Sequence, residues 1–209
     1  MKYVIKADDD IYIDVYRLQR ALKYRFASRK MTILGLLQKD AKPVRNPISK
    51  WYVSYDEFPK DYYERFVSGW TYAATLDSVN SIVSILDTSS EIDNYFWIDD
   101  VHITGTLAQK AGVKRESVSE WYTLNSEHLQ CCIDRPDNKD YYCDYLVGPS
   151  EKDLELMKNI LIHAKHCYIN SCIKSPPDKI VAKTCVNAKS PPLVPPGPGI
   201  GTIIKLNGR

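Results

Sequence analysis

Two acidic clusters in this chain have the residue types and placement to do chemistry. Asp8, Asp9 and Asp10 follow the apolar run Tyr3-Val4-Ile5, and Asp99 and Asp100 follow the aromatic run Tyr95-Phe96-Trp97-Ile98. The first run reads as a buried β-strand, so its acids stand at a strand end, where a rigid backbone presents carboxylates to solvent. Carboxylate oxygens suit hard cations such as Mg²⁺ or Mn²⁺, and a cation held there can carry a diphosphate. A solvated acidic turn is the competing reading of the triplet. An EF-hand is excluded, because its fifth and sixth positions would fall on Tyr12 and Ile13, without the ligand and the turn glycine. Asp99-Asp100 opens a helix, where Asp serves as a cap. The helix dipole favours the ionised form, which would also keep a general base ready at neutral pH. A metal that neutralises a leaving diphosphate, with a separate carboxylate that takes a proton from an attacking hydroxyl, is what sugar transfer requires.

The elements that must position these acids follow from periodicity. Asp14 caps a helix carrying Val15, Leu18, Leu22 and Phe26 at helical spacing, with Arg17, Gln19, Arg20 and Lys23 facing out. Met31 to Leu37, broken by Gly35, and Lys50 to Tyr55 read as strands on either side of a proline-containing loop. Phe58 to Tyr72 reads as a structured loop leading into a strand from Thr71 to Leu76. Asp77 caps an amphipathic helix with Val79, Ile82, Val83 and Leu86 on one face. Residues 95–98 form a short strand or turn before the helix of Val101, Thr104, Leu107, Ala108 and Ala111, which Gly112 ends. Val118 to Leu124 returns as a strand, with His128 just beyond it, and a helix runs from about Glu151 to Ala164. The prolines from Ser190 onward deny a sheet its backbone donors, so the end of the chain reads as an extended or flexible tail. The fold class is α/β, a mixed sheet with flanking helices followed by a small helical, proline-rich tail. Its expected segments are 1–147, a helical extension at 148–174, and the tail at 175–209.

Composition bounds the function. The 209 residues are 44% hydrophobic and 26% charged, enough for a sizeable core, and a net charge of only +2 gives no general field for nucleic acid. Fifteen Tyr and four Trp suit a sugar- or nucleotide-handling surface and equally a packed core. All six cysteines fall after residue 130, and their even number permits three disulfides and a secretory compartment, with the pairing open. No run approaches the length of a membrane span.

Four motifs occur in a fixed order: Lys6-Ala-Asp-Asp-Asp-Ile-Tyr, then Lys50-Trp51-Tyr-Val-Ser, then Phe66-Val-Ser-Gly-Trp-Thr-Tyr72, then Ile98-Asp-Asp-Val-His-Ile-Thr-Gly105. In this order and spacing the chain resembles the β1,3-galactosyltransferase family over roughly residues 2 to 130. The resemblance implies a GT-A-type domain that moves a sugar from a UDP-sugar, with inversion, to a glycan acceptor on a glycoprotein or glycolipid. It implies that Asp10 ligates Mn²⁺ or Mg²⁺, with His128 as a further metal ligand. Asp8 and Asp9 with Lys50, Trp51, Ser68 and Gly69 would bind the substrate, Gly69 letting the backbone approach the sugar. Asp100 would be the catalytic base, with Asp99 either the helix cap or an acid that supports the base. It also implies a Golgi location on the lumenal side of the membrane, held by an anchor absent from this chain. In the family the strands of the uridine pocket precede the acid triplet, so the expectation is the C-terminal part of a catalytic domain. The alternative is a non-catalytic glycan- or partner-binding fragment.

Overall fold

A computed structural model describes residues 3–88 and 95–186 of the chain. These residues group into two compact units, and the chain passes between them more than once. One unit holds residues up to Ala7 and Ser28–Ser119, the other Asp8–Ala27 and the described residues from Glu120 onward. The expected proline-rich run from Ser190 lies outside the described residues.

The first unit is a mixed sheet with helices. Strands β1 (Tyr3–Ala7), β3 (Thr32–Gln38), β4 (Phe66–Thr75) and β5 (Lys114–Ser117) lie in the order β1-β4-β3-β5. β4 is antiparallel to both β1 and β3, whereas β5 is parallel to β3. Helix α2 (Leu76–Thr88) follows β4 directly, and a π-helical turn, Val101–Leu107, runs into the short helix α3 (Ala108–Lys110). Ile33, Val67, Ala74, Ile82, Leu107, Ala108 and Val113 form the core that joins these helices to the sheet. Asp77, expected as the cap of α2, lies in its first turn and accepts the N–H of Met31 and of Ser78. Gly112 sits at φ +67°, just past the last turn of α3, as a helix-ending glycine does.

Four expectations for this unit are corrected. β1 is an edge strand, and Val4 and Ile5 are exposed rather than buried. Lys50 to Tyr55 forms no strand beyond a single bridge from Val44 to Tyr52. Arg45 is the reason: its guanidinium donates to the carbonyls of Val53, Ser54, Phe58 and Lys60, gathering the segment into a loop around one cation. The strand expected at Thr71 begins earlier, so Ser68 and Gly69 belong to β4 and not to a loop. The return strand at Val118 to Leu124 is displaced into β5, and a tight helical turn at Ser119–Trp121 follows, leaving a bridge from Tyr122 to Val147.

The second unit pairs β2 (Ile11–Ile13) with β6 (Val147–Pro149) and packs helices around them. These are α1 (Val15–Tyr24), α4 (Ser126–Asp134), α5 (Leu154–Asn170) and α6 (Val181–Thr184). Tyr12, Leu129, Cys132, Cys143, Leu156, Ile160, Ala164 and Val181 form its core. Asp14 caps α1 as expected, accepting the N–H of Arg17 at 3.0 Å. Arg17 does not face out: its side chain is 24% exposed, with the guanidinium 3.9 Å from the centre of the Tyr142 ring. α5 begins after Glu151 and Lys152, whose φ of +53° and +66° no helix accommodates, and Asp153 caps it. α4, which carries His128, has no counterpart in the sequence reading. The six cysteines form three bonds, Cys131–Cys185, Cys132–Cys143 and Cys167–Cys172, all within this unit.

Candidate active site

In the first unit the site is built on an irregularity of β4. Gly35 and Leu37 of β3 pair with Tyr72 and Val67, so one residue of β3 stands opposite residues 68–71 of β4. The registers with β3 and β1 leave residues 68–70 without a ladder partner in either neighbour. A bulge of this kind re-aims the backbone, and its freed amide groups need other partners. Side chains supply them: the Gly69 N–H donates to Asp100 Oδ2 at 3.0 Å, and the Lys6 ammonium donates to the Gly69 carbonyl. A Cβ on Gly69 would lie 3.1 Å from Lys6 Nζ and 3.5 Å from Asp100 Oδ2. The glycine therefore lets an ammonium and a carboxylate close on the same peptide.

Asp100 is fixed from its own helix as well. Its Oδ1 accepts the Val101 N–H at 2.9 Å, and its carbonyl accepts the Thr104 hydroxyl at 2.6 Å. Thr104 Oγ1 also accepts the Val67 N–H at 2.8 Å, tying the π-helical turn to β4 at the edge of the bulge. Gly105 permits that approach, since a Cβ there would lie 3.2 Å from Phe66 Cβ. Burial raises the Asp100 carboxyl above its ordinary value and the Asp99 charge adds to this, while the N–H groups of Gly69 and Val101 and the Lys6 ammonium oppose it. Desolvation thus outweighs these donors, against the expectation that the helix dipole would favour the ionised form, and it makes Asp100 a stronger base than a free aspartate. Asp99, expected as the cap, is instead exposed beside it, and Asp100 itself takes the cap position. Tyr63, among the phenylalanines Phe58, Phe66 and Phe96, is pushed by burial to about 12 and stays protonated.

Trp51 and Trp97 stack with centroids 6.0 Å apart and planes 7° from parallel, both partly exposed, and Lys50 Nζ lies 5.0 Å from the Trp51 ring. Lys50 and Trp51 thus form a cationic, aromatic surface next in sequence space to the acid pair through Trp97. Lys6, Thr104 and Trp97 were not assigned roles from sequence. Lys6 stands in the first motif and Trp97 two residues before Asp99, so proximity to the acids was the available signal.

The acid triplet and His128 belong to the second unit. Asp8, Asp9 and Asp10 form the turn that leads into β2, Asp9 exposed and its neighbours partly so. The turn is fixed by Ser150, whose N–H and hydroxyl both donate to the Asp10 carbonyl, at 3.0 and 2.9 Å. His128 stacks on Tyr145 at 5.2 Å, and its Nδ1 lies 2.7 Å from Thr123 Oγ1. That hydroxyl also contacts the Asn125 carbonyl and accepts the Asn125 N–H. One assignment satisfies all three contacts: the hydroxyl donates to Asn125 and accepts from His128, which puts the ring proton on Nδ1 and leaves the Nε2 lone pair open. Burial lowers the His128 pKa, favouring the neutral ring that a metal requires. Among the described residues no three or more His, Cys, Asp or Glu side chains gather into a protein cage for a metal. An open carboxylate site that is completed by substrate phosphates needs no such cage.

Comparison with known proteins gives a family model described as galactosyltransferase, matching residues 1–119. The chain is 36% identical over 81 residues to a β-1,3-galactosyltransferase of Arabidopsis thaliana, covering 39% of this chain and 12% of that protein. It is 31% identical over 117 residues to human β-1,3-galactosyltransferase 5, covering 56% of this chain and 36% of the relative. A lactosylceramide 1,3-N-acetyl-β-D-glucosaminyltransferase of Xenopus laevis is 28% identical over 161 residues, 73% of this chain and 42% of its own length. The chain spans less than half the length of each of these relatives.

Proposed function

Because the chain belongs to the galactosyltransferase family, we propose that it carries the acid–base and metal-binding part of an inverting β1,3-hexosyltransferase with a GT-A-type fold. Its donor would be a UDP-sugar and its acceptor a glycan on a glycoprotein or glycolipid. The observation that carries the reading is the Asp100 carboxylate, raised by burial and aimed by the Gly69 and Val101 N–H groups on a bulged strand.

In the proposed reaction the acceptor hydroxyl oxygen forms a bond to the anomeric carbon of the donor as the carbon–phosphate oxygen bond breaks. UDP departs with that electron pair, and the hydroxyl proton passes to Asp100. Asp10 would hold Mn²⁺ or Mg²⁺, with the His128 Nε2 as a further ligand and the donor phosphates supplying the rest, while Asp8 would support the nucleotide-sugar. When bound, that ion would supply charge neutralisation for the leaving diphosphate. Lys6, Ser68 and Gly69 would shape the donor side, and Lys50 and the Trp51–Trp97 stack would offer a face for a sugar ring. The three disulfides support an oxidising compartment such as the Golgi lumen. No helix among the described residues is long and apolar enough to cross a membrane.

The test is UDP release together with calorimetric UDP binding in Mn²⁺. Asp10→Ala should abolish metal-dependent UDP binding. Asp100→Asn should keep binding and lose on the order of 10²- to 10⁴-fold in kcat, the usual range for a positioned acid or base. Unchanged turnover in either variant removes that residue's role, and absence of saturable UDP binding by the wild-type chain removes the reading.

A further inference from the structure

The second unit holds an open cleft of about 950 Å³ between α1, α5 and the segment that follows α5. We propose that it is a binding site for an acidic oligosaccharide, one whose sugars carry sulfate or carboxylate groups. Arg17, Arg20, Lys23 and Lys174 line the cleft, and the acid among its lining residues is Asp14. Asp14 is 2% exposed and committed to Arg17 and the start of α1, so it offers no charge to a ligand. Among the described residues Arg20 and Lys174 have no ion-pair partner, and both are exposed. The cleft therefore concentrates positive charge, whereas the chain as a whole carries a net charge of only +2.

The floor is built rather than incidental. Arg17 lies over the Tyr142 ring at 3.9 Å and donates to the Cys143 carbonyl, which fixes its guanidinium. The Tyr16 and Tyr168 rings stack at 4.6 Å, and the Cys167–Cys172 disulfide ties the end of α5 to the segment that closes the rim. Tyr168 remains 65% exposed and Tyr24 69%. Aromatic faces pack against the C–H faces of pyranose rings, and guanidinium groups pair with sulfate or carboxylate through two parallel hydrogen bonds. Both chemistries line this cleft, and an acidic glycan presents the partners of both. A lipid surface would fit it less well, since the feature is concave and its exposed groups are chiefly rings and cations rather than an aliphatic face. Its volume is at the upper end of ordinary ligand pockets, roughly 300–1,000 Å³, which suits an oligomer. That the anion is borne by a glycan rests on the proposed transfer activity; the cationic and aromatic character of the cleft does not.

The test is calorimetry with the full chain and four probes. These are a heparin-derived octasaccharide, a hyaluronan octasaccharide, a chemically desulfated and carboxyl-reduced heparin octasaccharide, and phosphatidylcholine vesicles containing phosphatidylserine. One or both acidic octasaccharides should bind, and which of them binds tells sulfate from carboxylate recognition. Arg20→Glu with Lys23→Glu, and separately Arg20→Gln with Lys23→Gln, should weaken that binding at least tenfold. UDP binding in Mn²⁺ should be unchanged in both variants, which shows that they fold and separates this site from the transfer site. Tyr168→Ala should weaken the octasaccharide at least threefold. Equal affinity for the neutralised octasaccharide, or no loss in either double variant, would overturn the proposal. Vesicle binding that those variants abolish, without octasaccharide binding, would assign the face to a membrane and also overturn it. Loss of UDP binding by the wild type with octasaccharide binding intact would count against the transfer reading alone.

Discussion

In the proposed transfer, Asp100 combines a structural role with a chemical one. Both carboxylate oxygens accept a backbone N–H, one from Gly69 and one from Val101, which holds the group in a single orientation. Each oxygen keeps a second lone pair, so capping and proton transfer are compatible. The ionised form is the active one for a base. Because burial raises the folded pKa above 3.8, activity should fall as pH drops through that raised value. The acid limb of the kcat/KM profile should therefore lie above the ordinary aspartate range, and Asp100→Asn should remove it. A limb at or below 3.8, or one that persists in the variant, would mean that another group takes the proton. Stability runs the other way. A carboxyl raised in the folded state contributes stability that is fully present below the unfolded value and lost as pH rises through the folded one. The ionised Asp100 that the proposed transfer needs is thus held at some cost to the fold.

At the scale of elements, β1, the acids and α1 were legible because alternating and helical periodicities leave a record in single segments, whereas the three-residue β2 between the acids and α1 was not. Asp14 as a cap and Gly112 as a helix end were legible for the same reason. The bulge in β4 was not, since it is a mismatch between β3 and β4 and neither segment contains it alone. Gly35 marked the place without its reason. A Cβ at Gly35 would lie 2.3 Å from Val67 Cγ1 and 3.2 Å from the Thr71 carbonyl, so β3 must lack a side chain where β4 bulges. Gly35→Ala should therefore destabilise the chain by about 1–3 kcal/mol, as overpacking does, and should lower turnover by shifting Gly69 from Asp100. Gly112→Ala is the contrast: no atom lies within 4 Å of its would-be Cβ, and only the positive φ opposes it. It should cost about 1 kcal/mol and leave turnover intact. Urea unfolding with parallel turnover assays would measure both, and equal turnover losses in the two variants would show that the bulge does not position Asp100.

Across the whole molecule, the division into two units and the pairing of the cysteines were hidden for a shared reason: both depend on contacts between segments far apart in sequence. The chain leaves the first unit after Ala7, returns at Ser28 and leaves again after Ser119, so no linker composition marks the boundary. Six cysteines clustered after residue 130 pointed to an oxidising compartment without choosing partners. The structure places all three bonds in the second unit, where Cys131–Cys185 spans 54 residues and joins α4 to the residue that follows α6. Residues 8–27, which carry the acid triplet, are held to that disulfide-bonded segment by hydrogen bonds: β2 pairs with β6, and the Asp14 N–H donates to the Leu146 carbonyl at 2.8 Å. The turn that carries the acid triplet therefore depends on a segment whose unfolded state the disulfides restrict. Loop-closure entropy for a separation of 54 residues gives about 4 kcal/mol. Replacing Cys131 and Cys185 together by serine should cost roughly 2–5 kcal/mol. Amide exchange should locate the loss, with protection falling in α1, α4 and α5 and holding in β3 and β4. Metal-dependent UDP binding should weaken along with it, because the Asp10 turn is anchored to Ser150 in the same unit. Equal loss of protection in β3 and β4 would show that the two units unfold together and that the disulfides stabilise the chain as one body.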